Sequence, residues 1–331
     1  MGVDLTSYEQ YARDRWLLSY TGEESLHDLV LNIKELEQFE QQSRGDFQKQ
    51  IWMVLNSHYQ LASDVMRHQG NFQAAWHYAN HAVRVTKQLG INDVLAAAIY
   101  RRGYTLLEWA VCGDKAKQGI INREPDAQKL RAAVADFEAA LPLARPQLKG
   151  AIWIELSRAQ GLLQQVALSL RTVQQAESMI DAGSTLSDPL EQILLEGALN
   201  GLNEGMYLLG RAASLIALGR STTALELLDD LETLQNGKGI ARNQARRLAY
   251  ADLLRAEAAL GTKDYFTAAT RATSALQTFQ DIQTIERIAW INTLHQKLVE
   301  KCGNHQEVKF LGKSLSKYYK QTMLKQEKHD G

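Results

Sequence analysis

Apolar residues recur along this chain at intervals of three and four. Leu26, Leu29, Ile33 and Leu36 do so, and so do Leu195, Leu199, Leu202, Met206, Leu209, Ala213 and Ile216. That spacing lays an apolar stripe along one side of a helix. No convincing alternation of β-branched residues argues for a strand. Only Pro125, Pro142, Pro146 and Pro189 interrupt the pattern. The periodicity predicts helices near 7–18, 22–42, 46–69, 72–89, 93–112, 126–144, 148–164, 166–182, 189–218, 221–235, 240–260, 264–280, 283–302 and 304–325. The longest irregular piece is Cys112 to Pro125.

Helix punctuation agrees with that reading. Thr21 with Glu24, and Asp188 with Glu191, form capping boxes, the second with Pro189 at the first helical position. Gly70, Gly90, Gly183, Gly219, Gly261 and Gly303 fall where apolar periods end, as C-terminal caps. Gly197, Gly201 and Gly205 stand four apart inside the predicted helix 189–218. Each costs about 1 kcal/mol relative to alanine. Such a stripe reads either as a seam for a close helix crossing or as a hinge. A membrane-spanning helix is excluded there by Glu196, Asn200, Asn203, Glu204 and Arg211.

Several helix pairs share one small-and-aromatic pattern. Tyr59 is followed by Gly70, Phe72, Ala75 and Ala82, and Trp153 and Leu156 lead to Ala176. Ala133, Phe137 and Ala140 repeat the closing half, as do Tyr265, Ala268, Ala272 and Ala275. Small residues occupy the points where two antiparallel helices cross, and aromatic residues fill the gaps between pairs. These residues resemble the tetratricopeptide repeat over roughly 46–320, in a degenerate form. Asp252 stands where one copy needs its leading aromatic, and the last copy, from Trp290, lacks the small residues of its second helix. The resemblance implies an all-α right-handed superhelical solenoid of antiparallel helix pairs. A helical cap over 1–45 would precede repeats over 46–303, with a capping helix and basic tail over 304–331.

Composition narrows the function. The chain has 331 residues, 45% hydrophobic and 23% charged, enough to bury a large core. Its formal charge of −1 offers no global field for nucleic acid, so no direct nucleic-acid binding is expected. Two distant cysteines, Cys112 and Cys302, read as free thiols in a reducing, cytoplasmic setting. The acidic start lacks the features of a secretory signal, and no apolar run reaches transmembrane length. Gly2 and Thr6 satisfy the loose myristoylation pattern, which short sequences match often by chance.

Tests for chemistry point away from an enzyme. No phosphate loop or Gly-x-Ser-x-Gly elbow occurs. His77 and His81 share a helix face but have no evident third ligand, so neither a metal nor another cofactor is expected. Binding surfaces are better supported, because stacked helix pairs line a concave face with their first helices. The groove candidates are Gln60, Asp64 and Arg67; Tyr100 and Tyr104, near Glu108; Asn200, Asn203, Tyr207 and Arg211; and Asn243, Arg247 and Tyr250. Asn pairs with a peptide backbone, Tyr offers rigid apolar area, and Arg clamps a carboxylate.

The architecture is similar to the repeat-containing sensor regions of bacterial helix-turn-helix regulators, which bind signalling peptides or mediate dimerisation. Residues 1–45 are too short and acidic to read as the DNA-binding part. The resemblance implies a peptide- or protein-binding module with a groove ligand, compatible with self-association. The alternative is a scaffold that uses its convex face and ends. The lysine-rich tail, with Leu311, Leu315, Tyr318 and Tyr319 at helical spacing, reads as a solvated capping helix; a membrane-surface or acidic-partner role is the lesser reading.

Overall fold

The computed structural model describes residues 4–19, 26–122, 124–180, 204–235 and 242–329. These residues form fourteen α-helices and no strand. They are α1 (Thr6–Ser19), α2 (Leu26–Gln42), α3 (Gly45–His68), α4 (Phe72–Leu89), α5 (Asn92–Cys112), α6 (Ala127–Ala140), α7 (Pro146–Leu162), α8 (Val166–Glu177), α9 (Glu204–Ala217), α10 (Ser221–Gln235), α11 (Arg242–Gly261), α12 (Tyr265–Asp281), α13 (Ile285–Cys302) and α14 (Gln306–His329). None is long and apolar enough to cross a membrane. Both capping boxes, Gly183, Gly197 and Gly201 lie outside the described residues.

Local chemistry sets the helix ends. Asn71, Asp126 and Asp264 accept hydrogen bonds from first-turn amides of α4, α6 and α12 at 2.9–3.3 Å. Pro146 opens α7, two residues before the predicted start, because a helix lacks nothing by losing that amide. Helix α6 ends at Ala140 rather than 144: Leu141, just before Pro142, keeps helical angles (φ −53°, ψ −48°), and the chain turns off over 141–144. Gly70, Gly90 and Gly219 take the left-handed conformation expected of caps, with φ of 70–72°. Gly303 and Gly261 do not fit that expectation. Gly303 is right-handed at φ −58°, and Gly261 is the last helical residue of α11. Lys263, at φ 66°, makes the left-handed turn instead. Gly261 is small because Ser221 of α10 packs against it.

Consecutive helices pack as antiparallel pairs, and each pair packs on the next, which is the solenoid arrangement. The repeat positions do what their sizes predict. Ala75, Ala82, Ala133, Ala140, Ala176, Ala268, Ala272 and Ala275 are fully buried at crossings, with Phe137 and Phe279 between layers. Each buried phenylalanine contributes about 2–3 kcal/mol by leaving water. Asp252, the departure from the repeat pattern, accepts from Ser274 at 2.7 Å and pairs with Arg271 at 3.1 Å, joining α11 to α12 through polar contacts. Helices α7 and α9 approach closely at Gly210, against Ile154, and at Gly161, whose added Cβ would stand 3.2 Å from Ala217. Glycine there is a packing requirement.

Helix α1 docks on α3 through aromatic contacts. Tyr11 stacks on His58 with centroids 5.8 Å apart, and Arg101 of α5 covers the Trp16 ring at 4.5 Å. His58 is fully buried. Burial pushes its pKa down to about 4, against a smaller opposing effect of its bond to the Val54 carbonyl. The unfolded chain therefore takes up this proton first as pH falls. The neutral-histidine contribution is present above pH 6.5 and is lost between 6.5 and 4. We expect about 2 kcal/mol lost by pH 5 from this group. Urea titrations of wild type and His58→Phe between pH 7 and 5 check it: the variant should show the flatter profile, and parallel profiles would contradict the assignment.

The array bends back on itself. Helix α13 touches α3 and α5, far earlier in the chain. Residues 113–122, within the irregular piece Cys112 to Pro125, form a strap across this closure. A single 3-10 turn, Ala116–Gln118, sits in it, and its Ala116 packs with Phe72 and Cys112. Ile121 packs both there and against the C-terminal core. Asn292 of α13 donates to the Gly119 carbonyl at 2.8 Å, and Tyr319 of α14 lies over Gly119.

Candidate functional site

The closure brings first helices together along the axis. Helix α3 places Asp64, Arg67 and His68 there, one turn of one face. Helix α5 adds Tyr104 and Glu108, α7 adds Glu155 and Arg158, α11 adds Arg246 and Tyr250, and α13 adds Glu286, Arg287 and Trp290. Every one lies on the first helix of a pair.

The contacts form a continuous network. Arg67 pairs with Asp64 at 2.6 Å and approaches Glu286 at 3.6 Å. His68 Nδ1 lies 2.7 Å from Glu286 Oε1, and its other nitrogen lies 3.2 Å from Asp64. An Arg246 nitrogen stands 2.8 Å from His68 Nδ1. Arg158 donates to Glu108 Oε1 at 2.6 Å, and Arg287 meets Glu108 Oε2 at 3.1 Å. Aromatic rings separate the cations. Arg67 lies 5.0 Å from the centre of Tyr104, and Arg287 lies 4.8 Å from Tyr250 and 5.3 Å from Trp290. Trp290 Nε1 donates to Glu257.

Burial opposes ionisation of Asp64, Glu108 and Glu155, and neighbouring cations overcome it at the first two. Arg287, Arg158 and Arg67 outweigh the burial of Glu108 and hold it at about 2. Arg67 and His68 likewise bring Asp64 well below the usual carboxylate range despite burial. Glu155 differs: burial pushes it up, Arg158 only partly opposes this, and the charge on Glu108 adds to it. Glu155 Oε2 and Glu286 Oε2 are buried without a hydrogen-bond donor, and Arg287 has a buried nitrogen without an acceptor. Buried charge imperfectly matched is costly, and such sites are over-represented where ligands bind. The nearby thiol is not activated; burial and then Glu108 push Cys112 upward.

Of the groove candidates, Asp64, Arg67, Tyr104 and Tyr250 enter this network, and Tyr100 stacks beside Tyr104 at 6.4 Å. Gln60 is buried one turn before Asp64 and donates to Asn56 at 2.7 Å. Tyr207 is buried in the apolar core between α7 and α9, with Arg211 over its ring at 5.9 Å. Arg247 is half-exposed and forms no side-chain ion pair among the described residues. Asn200 and Asn203, and the side chain of Asn243, lie outside the described residues. The residues that periodicity overlooked are His68, Glu155, Arg158, Arg246, Glu286, Arg287 and Trp290. For Glu155, Arg158, Glu286, Arg287 and Trp290 the signal was present in "IWIELSRAQ" and "TIERIAWI", where charges interrupt otherwise apolar helix faces. His77 and His81 contact each other at 3.0 Å on α4. No group of three or more metal-ligating side chains occurs among the described residues.

No family model and no curated protein matches the chain. Among solved structures it is similar to the crystal structure of the apo form of RapI, with a TM-score of 0.43 and 11% sequence identity, covering 94% of this chain and 76% of that one.

Proposed function

We propose that this protein is a non-enzymatic binding module, the sensor region of a bacterial regulator, that takes a short peptide on its concave face. The observation that carries this reading is the charged cluster at the axis, with donor-less oxygens on Glu155 and Glu286. Those oxygens suit an ammonium or guanidinium group, and the spare Arg287 nitrogen suits a peptide carbonyl or carboxylate. A peptide with a cationic residue or a free amino terminus meets both demands. It would exchange with the internal ion pairs that hold α13 against α3 and α5, so binding and closure would be coupled.

Calorimetry with a library of short cationic peptides tests this. A binder should weaken about tenfold or more with Glu155→Gln, a loss of about 1.4 kcal/mol or more. The same variant should raise apo stability, because it removes a buried charge that Arg158 only partly balances. Equal affinity for wild type and variant across all binding peptides would defeat the proposal. Small-angle scattering should show a change in size on saturation, and an unchanged profile would favour a rigid scaffold instead.

A further inference from the structure

A second surface lies at the far end of the solenoid, remote in sequence from the axial residues of α3, α5 and α7. Lys309, Lys313, Lys317 and Lys320 follow one another at spacings of four, four and three along α14. At 1.5 Å per residue they span about 16 Å of one helix face. All four line a groove of about 780 Å³ between α13 and α14. None forms an ion pair among the described residues, and the neighbouring Glu307 is engaged by His305 at 2.8 Å. Apolar surface accompanies the charge. Val299 in the groove is 48% exposed. Phe310, 58% exposed, lines an adjoining hollow of about 430 Å³ that shares Lys309 and Lys313.

The floor between these helices is tightly built. His295 bonds the Val308 carbonyl at 3.1 Å, and a Cβ on Gly312 would stand 2.7 Å from the same ring nitrogen. The two helices therefore hold their spacing while the lysine ridge and its two hollows stay open to solvent.

We propose that this ridge docks an acidic amphipathic segment of a partner protein. Its carboxylates would pair with the lysine stripe, and its apolar side chains would cover Val299 and Phe310. Four cations within three turns, unpaired among the described residues, form a local positive patch on a chain whose net charge is −1, rather than part of a general basic field. A symmetric contact between two copies would set lysine against lysine. A bilayer surface would meet the ridge but could not enter the grooves beside it.

Fluorescence anisotropy with a synthetic glutamate–leucine amphipathic peptide tests the proposal, with the glutamine-for-glutamate peptide as control. Vesicles of phosphatidylcholine containing phosphatidylserine serve as the membrane arm. We expect the acidic peptide to bind with an affinity that falls as salt rises. Binding should drop about tenfold or more in the double variant Lys313→Glu, Lys317→Glu. It should also drop severalfold in Val299→Ser, Phe310→Ser, because docking uses both terms. All four positions are surface side chains, and unchanged circular dichroism would establish that the variants fold. Any of three results overturns the proposal: no effect of the lysine reversals, no effect of the apolar pair, or stronger capture by vesicles than by peptide. Self-association abolished by the lysine reversals would assign the ridge to a second copy of the chain and overturn it equally.

Discussion

Replacing Arg158 with leucine is expected to cost about 3–5 kcal/mol, the range for removing one partner of a buried ion pair. The side chain is almost wholly buried and donates to Glu108 at 2.6 Å while standing 3.7 Å from Glu155. Its removal leaves two neighbouring buried carboxylates with less compensation. Glu108 is held at about 2 in the folded protein, against 4.5 for an ordinary glutamate. Its ionised form thus contributes stability above pH 4.5 that fades as pH falls toward 2. Without Arg158 that acid-side loss should begin at higher pH. Urea unfolding of Arg158→Leu, Glu108→Gln and the double variant gives the measurement. The double variant should recover only part of the loss, since a neutral amide no longer needs the Arg158 guanidinium but leaves buried Arg287 without its carboxylate partner. A single-variant cost below about 1 kcal/mol would mean that the pair is solvated in solution and the axis is open.

Gly119→Val is expected to cost about 3 kcal/mol and to loosen the closure of the array. Two independent terms contribute. Gly119 has a φ of +78°, which a β-branched residue adopts only with strain of about 1–2 kcal/mol. A side chain there also runs into the Tyr319 ring, and overpacking of that kind costs about 1–3 kcal/mol. The consequence is not local. Gly119 offers its carbonyl to Asn292, so displacing the strap frees α13 from the α5–α6 connection. Chemical unfolding should show the loss, and amide exchange should rise in α13 and α14. Asn292→Ala, which removes the bond without backbone strain, should raise exchange in α13 at a smaller cost in stability. Unchanged exchange in α13 in both variants would show that the strap does not hold the ring.

The fold was legible because its signals are local. A stripe repeating every three or four residues specifies a helix wherever it occurs, and alanines such as Ala268, Ala272 and Ala275 specify a close crossing irrespective of the partner. Helix ends were legible where a dedicated residue sets them, as at Gly90 or Gly219. They were misjudged where packing decides the residue, as at Gly261, where Lys263 makes the left-handed turn instead. The site was only half legible. Asp64, Arg67, Tyr104 and Tyr250 stood out as polar and aromatic residues on first helices. Tyr207 has the same chemistry and spacing, yet the Gly210–Ile154 crossing turns its face into the apolar core.

What the chain determined by itself is therefore the helical periods, the pairing of neighbouring helices and the residue types available on each inner face. Only the tertiary structure decided which inner faces meet. His68 reaches Glu286 across 218 positions, and Arg158 reaches Glu108 across 50. No local pattern encodes such a pairing. It follows from the curvature accumulated over several helix pairs and from a strap whose own residues show no periodicity. Small rotations at each alanine or glycine crossing add up along the array, and their sum brings α13 onto α3 and encloses the charges that share the axis.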